Sequence, residues 1–388
     1  MGLTAAGAGS EVATVSSAAP LRELVRLFLR LGATAFGGPA AHIAMMEDEV
    51  VERRRWLSKE EFLDLVGATN LIPGPNSTEM AIHIGHRVAG WPGLFVAGIC
   101  FIVPAVALTL LVAWAYVEYG ALPEGRAVLY GIKPVMVVVV LQAIWRLGRA
   151  ALKGPLAWGV AAVALGAAFF EVNELVVLFG AGLLLLAIRG VPRRKGALLV
   201  AWPLALPVVA LGGVPVTSER LFWVFLKIGS VLFGSGYVLL AFLRADLVER
   251  LGWLRPEQLL DAIAAGQVTP GPVFSTATFI GYVLAGPAGA AAATLGIFLP
   301  AFLFVALSGP LVPRLRQSWW AGALLDGVNI GAWALMAAVT VRLAKEAVVD
   351  LPSVLFALVA AVALLRFRLN STWLVAGGAL AGLVGSYL

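Results

Sequence analysis

The chain predicts an all-α polytopic membrane protein made of two inverted-topology repeats joined by a connecting transmembrane helix. Three observations carry this: an apolar composition, a duplication at a nearly constant offset, and helix breaks that recur in register. Hydrophobic residues make up 61% of the chain and charged residues 13%, with a mean hydropathy of +0.93. An ordinary soluble domain is about half apolar and about a quarter charged, so the excess is that of a bilayer protein. Windows such as 94–117 and 287–309 exceed the roughly 18 apolar residues of a spanning helix, and there are several of them.

Duplication orders the rest. Displacing the chain by 197 residues superimposes Gly32 on Gly229, Phe36 on Phe233, Trp56 on Trp253, Glu60 on Glu257, Asp64 on Asp261 and Pro73-Gly74-Pro75 on Pro270-Gly271-Pro272, with 18 of 48 positions identical between Phe28 and Pro75. Composition alone gives about one in ten. After a one-residue deletion the offset becomes 196 and runs on through Gly85/Gly281, Pro104/Pro300, Gly131/Gly327 and Arg146/Arg342. The expected organisation is a disordered tail over 1–20, repeat 1 over 21–190, a connecting helix within 191–217 and repeat 2 over 218–388. The tail has neither the basic start nor the apolar stretch of a signal peptide.

A single crossing between the repeats inverts the second, and charge agrees. Arg146, Arg149 and Lys153 mark one loop, and Arg189, Arg193, Arg194 and Lys195 mark another two crossings later. The loop between them, near Glu171 and Glu174, has no Lys or Arg. The basic loops are therefore inside and this one outside. Arg314/Arg316 and Arg366/Arg368 fit an inverted second repeat, while Arg342 and Lys345 vote against it. The net charge of +6 resides in such short loops, "ERRR" (52–55) and "PRRK" (192–195) among them, which predicts no nucleic-acid partner. Cys100 is the sole cysteine, so no disulfide within the chain and no thiolate metal or iron–sulfur site is expected. No cofactor is predicted.

Each repeat is broken twice. Proline removes a backbone donor and disfavours helix in the residue before it, while glycine tolerates the turn. "LIPGPNSTEM" (71–80) and "VTPGPVFSTA" (268–277) therefore end one helix and start another, and "FGGPA" (36–40) is matched by "FGSGY" (233–237). Asn76 and Glu79 have the spacing of a capping box, as do Ser58 and Glu61, and Pro256 suits a first helical turn. Irregular backbone at membrane depth needs protein or a water-filled cavity around it. Helix N-termini facing such a cavity offer N–H groups and partial positive charge, which suit a tetrahedral oxyanion. The substrate-site candidates are Gly37, Gly38, Pro73, Gly74, Pro75, Asn76 and Ser77 from repeat 1, with Gly234, Ser235, Gly236, Pro270, Gly271, Pro272, Ser275 and Thr276 from repeat 2.

Between the breaks, "VERRRWLSKEEFLDL" (51–65) and "VERLGWLRPEQLLDA" (248–262) each predict a turn and a new helix, with Trp56 and Trp253 as interfacial anchors. From 36 to 93 the chain resembles the chromate ion transporter family, in "FGGPAAHIAMMEDEVVERRRWLSKEEFLDLVGATNLIPGPNSTEMAIHIGHRVAGWPG". A weaker echo follows in "FGSGYV", "WLRPEQLLDA" and "TPGP", and the resemblance spans nearly the whole chain. It implies a secondary active transporter that exports chromate, or a related divalent oxyanion, from the bacterial cytoplasm across the inner membrane, driven by membrane potential or protons. Ser235-Gly236 in place of Gly38-Pro39, and Leu239 in place of His42, depart from the first-half pattern and confine any histidine role to repeat 1.

Ionisable candidates for charge or coupling are Glu79, His42, His83, Arg87 and Lys133. Glu79, His83, His86 and Arg87 share a helix face, and Glu79 has no acidic counterpart in repeat 2, so it is either a carrier of the coupling proton or a carboxylate at the start of a helix. Lys133, with Asn329 as its repeat partner, either offers charge to an anion or reaches the surface. No enzymatic activity is expected. Among the alternatives are a sulfate or other oxyanion importer, an anion channel, and a membrane-embedded chromate reductase, for which one cysteine and three histidines supply few redox ligands. No G-x-x-x-x-G-K-[ST] sequence occurs, which disfavours an ATP-driven pump. Association of two copies into a homodimer, and full spans against re-entrant hairpins at the breaks, are left open.

Overall fold

A computed structural model describes residues 21–36, 38–190, 214–233, 236–316, 318–367, 369 and 371–387, and these are helical throughout, with no strand among them. The proposed tail and most of the connecting helix lie outside the described residues. The first series of helices is α1 (Leu21–Thr34), α2 (Pro39–Glu47, continued by a π-helical stretch Asp48–Arg53), α3 (Lys59–Thr69), α4 (Asn76–Tyr119), α5 (Pro123–Ala151), α6 (Pro155–Phe169) and α7 (Glu174–Gly190). The second runs α8 (Ser218–Val231), a 3-10 turn Gly236–Val238 leading into α9 (Leu239–Leu243) and a π-helical stretch Arg244–Arg250, α10 (Pro256–Val268), a 3-10 turn Val273–Ser275, α11 (Thr276–Arg316), α12 (Trp319–Ala347), α13 (Leu351–Leu365) and α14 (Ser371–Gly385). The order and even the π-helical insertions repeat. Among the described residues four helices are long and apolar enough to cross a bilayer by themselves: Asn76–Tyr119, Pro123–Ala151, Val273–Ser308 and Trp319–Ala347. Large apolar side chains such as Trp91, Leu111, Trp145, Leu295 and Leu358 are exposed along them and on α13, as lipid contact requires.

Local chemistry explains the starts. Proline occupies the first turn of α2, α5, α6, α10 and α13, where its missing N–H has no helical partner to lose. Ser58 accepts from the Glu61 N–H at 3.2 Å while the Glu61 carboxylate accepts from the Ser58 N–H at 3.0 Å, so the expected capping box of α3 is present. The Ser58 backbone N–H, joined by the Arg87 guanidinium, holds the Glu61 carboxyl below the usual carboxylate range. Ser58→Ala is expected to cost about 1 kcal/mol, visible as a lower unfolding temperature in detergent.

Small residues bring the helices together. Gly32 of α1 leaves room only for the Phe101 carbonyl of α4, and its repeat mate Gly229 of α8 lies in the same way against the Ile297 carbonyl of α11. Gly327 and Gly331 of α12 pack on Ala181 and Val177 of α7, and Gly131 of α5 packs on Gly378 and Gly382 of α14. Lipid tails are as apolar as leucine, so such close backbone approach, rather than exclusion of water, holds membrane helices together.

Within α4 the dihedrals leave the helical region at Ala89 and Gly90, and within α11 at Ala285 and Gly286. Gly85 meets the Gly93 carbonyl across the first site, and Gly281 meets Gly289 across the second, so the chain turns back on itself at both. Arg87, at the end of the first segment of α4, pairs at 2.5 Å with Glu61 at the start of α3.

Candidate functional site at the helix breaks

The breaks of one repeat bond to those of the other. Gly74 N–H donates to the Leu232 carbonyl at 2.7 Å, and Gly271 N–H donates to the Ala35 carbonyl at 2.8 Å. These are one bond made twice, since both residues shift by 197. The two tip N–H groups that the sequence assigned to an anion are therefore occupied. Around this junction Gly74, Pro75, Ser77, Gly236, Pro270, Gly271, Pro272, Ser275 and Thr276 are buried and Pro73 is partly so. Gly37, Gly234 and Ser235 lie outside the described residues.

A cavity of about 560 Å³ reaches the same region from one face. Its inner wall is formed by the starts of α2 (Gly38, Pro39, Ala40) and α4 (Asn76) together with Asn70, its flanks by Gln142 and Arg146 of α5 and Asn329 and Trp333 of α12, and its mouth by Lys153, Arg189 and Asp326. Arg189 binds Asp326 at 2.6 Å, while Arg146 and Lys153 have no ion pair among the described residues. Two uncompensated cations and two helix starts give the space a positive field. Asn76 does not cap α4 as its spacing predicts: Pro75 is the N-cap residue, and the Asn76 amide donates to Asn70 Oδ1 at 3.1 Å instead, facing the cavity.

The chain matches the family model for the chromate transporter twice, over residues 22–186 and 219–383. This chain belongs to the chromate transporter family. A chromate transport protein of Cupriavidus metallidurans is 33% identical over 374 residues, covering 94% of this chain and 93% of that one. One of Pseudomonas aeruginosa is 34% identical over 347 residues (85% and 83%), and a probable chromate transport protein of Synechococcus elongatus is 29% identical over 381 residues (95% and 97%). No solved structure matches. Membership makes the chain a multi-pass membrane transporter rather than an enzyme, and the double match restates the duplication.

For a chromate transporter the placement of the ionisable candidates is informative. Lys133 does not line the cavity; its ammonium lies 3.4 Å from Asp261, which also accepts from the Tyr116 hydroxyl at 2.9 Å. Arg87 is exposed and bound to Glu61. Arg30 pairs with Glu49, and its repeat mate Lys227 pairs with Asp246, the repeat mate of Glu49, at 2.6 Å. His42 is buried, donating from Nε2 to the Ala35 carbonyl at 3.0 Å with its ring edge toward Phe101, so it fixes the first break. His83 is buried with Nε2 unpaired among the described residues.

Glu79 is fully buried, both carboxyl oxygens lack a partner among the described residues, and the carboxyl lies directly against Gly74. The capping role is thereby excluded. Its repeat mate Ser275 is satisfied, because the Thr109 hydroxyl lies 2.9 Å from it and 3.2 Å from Thr269. In the other half the positions of Thr109 and Thr269 are held by Val305 and Ile72, which share one apolar cluster. The repeat 1 break thus has the acid, and the positions around it that correspond to those hydroxyls are apolar.

Sequence reasoning missed Asn70, Gln142, Arg146 and Asn329 as wall residues. Arg146 was visible as an arginine kept in both repeats, but that signal spoke only of topology.

Proposed function

We propose that the chain is a secondary active transporter that exports chromate, or a related divalent oxyanion, by alternating access between two oppositely oriented repeats. The observation that carries this is the one-sided cavity, bounded by Arg146 and Lys153 and ending at the starts of α2 and α4. Names of the relatives supply chromate. A tetrahedral dianion fits a site of amides, helix starts and guanidinium without a dedicated buried ion pair.

Contacts support the inverted arrangement. Arg189 at the end of α7 meets Asp326 near the start of α12, whereas Glu171 before α7 meets Arg342 near the end of α12. The pairing of Lys227 with Glu174 brings the start of repeat 2 to that second face. The Arg87–Glu61 pair and the turn at Ala89–Gly90 support re-entrant hairpins, so that α1/α2 and α3 with the first segment of α4 enter and leave by one face. Nine crossings and two hairpins per repeat follow, counting the connecting helix. Boundaries of 21–190 and 218–388 for the repeats agree with this scheme. Arg342, which opposed the charge rule, is neutralised by Glu171 and Glu249, so it does not weigh against it.

The cavity opens on the face of Arg146, Lys153 and Arg189, which the positive-inside rule makes cytoplasmic. An interior-negative potential then favours outward movement of a dianion by about 4.6 kcal/mol per 100 mV. Export from a bacterial inner membrane needs no further energy source, and Glu79 is the group through which a proton gradient would add to it. The test is chromate flux in proteoliposomes under an imposed potential, with sulfate as competitor. Saturable flux is expected, with Asn76→Ala and Asn329→Ala each weakening it on the order of tenfold by removing a hydrogen bond to a charged group. Ser275→Ala, which alters only the buried hydroxyl network, is expected to change it much less. Absence of wild-type flux, or conductance without saturation, would remove the reading.

A further inference from the structure

The face opposite the cavity mouth is closed by ion pairs. Arg342 reaches Glu249 at 2.9 Å and Glu171 at 3.1 Å, and Arg244 reaches Glu249 at 3.0 Å and Glu346 at 3.1 Å. These pairs tie the end of α12 to the π-helical stretch after α9. The crevice lined there by Glu171, Glu249 and Arg342 holds about 50 Å³, against about 560 Å³ for the cavity on the other face. Asp326 and Arg342 are sixteen residues apart on α12, or about 24 Å along its axis, so one helix carries an open end and a latched end.

Repeat symmetry gives every one of these groups a counterpart at the open end. Arg342 corresponds to Arg146 and Glu249 to Glu52. Of the pairs joining α12 to this stretch, Arg342–Glu249 keeps both charges in the other half, since Arg244–Glu346 becomes Glu47 and Ala150 and Glu171 becomes Phe367. In the described state Arg146 lines the cavity and Glu52 is exposed, and neither has an ion pair among the described residues. The two halves thus hold one latch, made at one end and unmade at the other.

We propose that Arg146 is an exchangeable cation: here it faces the cavity as an oxyanion ligand, and in the opposite state it pairs with Glu52 and closes the mouth as Arg342–Glu249 closes the other face. The anion meets the guanidinium first and moves inward to Asn76 and Asn329, which frees Arg146 to change partner behind it. Symmetry requires Arg342 to release Glu249 in the same step. This rests on the transport reading, but its test can fail separately.

With Cys100→Ala as background, Glu249→Cys/Arg342→Cys and Glu52→Cys/Arg146→Cys are each treated with a short thiol cross-linker in proteoliposomes. The first pair is expected to link in the resting protein, which also reports that it is folded. The second is expected to link only as the protein cycles, and linking is expected to arrest exchange until reductant is added. In parallel, Arg146→Glu and Glu52→Arg are each expected to lower chromate flux on the order of tenfold; the double reversal restores the pair but leaves a carboxylate on the cavity wall, so it is expected to exceed Arg146→Glu and stay below wild type. Efficient linking at 249/342 with none at 52/146, or a double reversal no better than Arg146→Glu, overturns the latch even if chromate is carried. Linking at both pairs in the cysteine variants, together with no chromate flux in the wild-type protein, overturns the substrate reading and leaves the latch.

Discussion

Glu79→Gln is expected to leave the protein folded, to preserve chromate flux driven by membrane potential, and to abolish the response of that flux to a pH gradient. Glu79 sits at the tip of the repeat 1 break with both oxygens buried and unpaired among the described residues. An unpaired ionised carboxylate in such a place carries a penalty of several kcal/mol, so its proton leaves only when the surroundings rearrange. A site whose protonation is tied to conformation is what coupling requires. One pH unit is about 1.4 kcal/mol per proton, so a single coupled proton changes wild-type flux by up to about tenfold per unit of imposed gradient. Glutamine keeps the shape and has no proton to exchange, which sets the expected response to zero. His83 and His42 are the other titratable groups buried near the two breaks, and a response that persists in Glu79→Gln would pass the role to them and leave Glu79 as packing. The measurement is flux at fixed potential across a series of external pH values.

Gly271→Val is expected to be the most damaging single substitution at the junction, and Gly154→Val supplies its control. Both glycines have a positive φ, 88° and 89°, which costs a branched residue about 1–3 kcal/mol. Around Gly154 a new Cβ meets nothing within 4 Å, so the backbone cost is the whole effect. At Gly271 the same atom meets the Ala105 Cβ at 2.7 Å and the Gly32 carbonyl oxygen at 2.9 Å, and relieving that contact breaks the Gly271 N–H bond to Ala35. Overpacking adds about 1–3 kcal/mol and the lost buried bond about 1–3 more. Thermal unfolding in detergent is therefore expected to show a small shift for Gly154→Val and loss of folded protein or of all flux for Gly271→Val. Equal shifts would mean that the tip is loosely held and that the inter-repeat bonds are not structural.

Much of this architecture was legible in the residues. The duplication is written as identities at two offsets. Proline and glycine declare the breaks because their limits are covalent and act wherever they stand. Ser58 with Glu61 was equally readable, since a capping box is closed within four residues. Asn76 with Glu79 has the same spacing and failed, because its outcome was set by Asn70 across the break and by the wall of the opposite repeat. Lys133 was ambiguous for the same kind of reason. Its partner Asp261 lies 128 residues away and no local pattern announces it.

By itself, then, the sequence determined the solvent in which this protein folds, its division into two related halves and the points at which its helices must stop, all of which depend on composition, periodicity and backbone chemistry. The tertiary structure alone decided which polar groups are consumed and which are left over. It engaged the Gly74 and Gly271 N–H groups in each other's repeats, paired Lys133, left Glu79 without a partner among the described residues, and opened one face to Arg146 while pairing Arg342 with Glu249 at the other. Those outcomes turn on distances of a few ångströms between residues far apart in the chain, and two halves of nearly the same sequence can occupy them differently at the same moment.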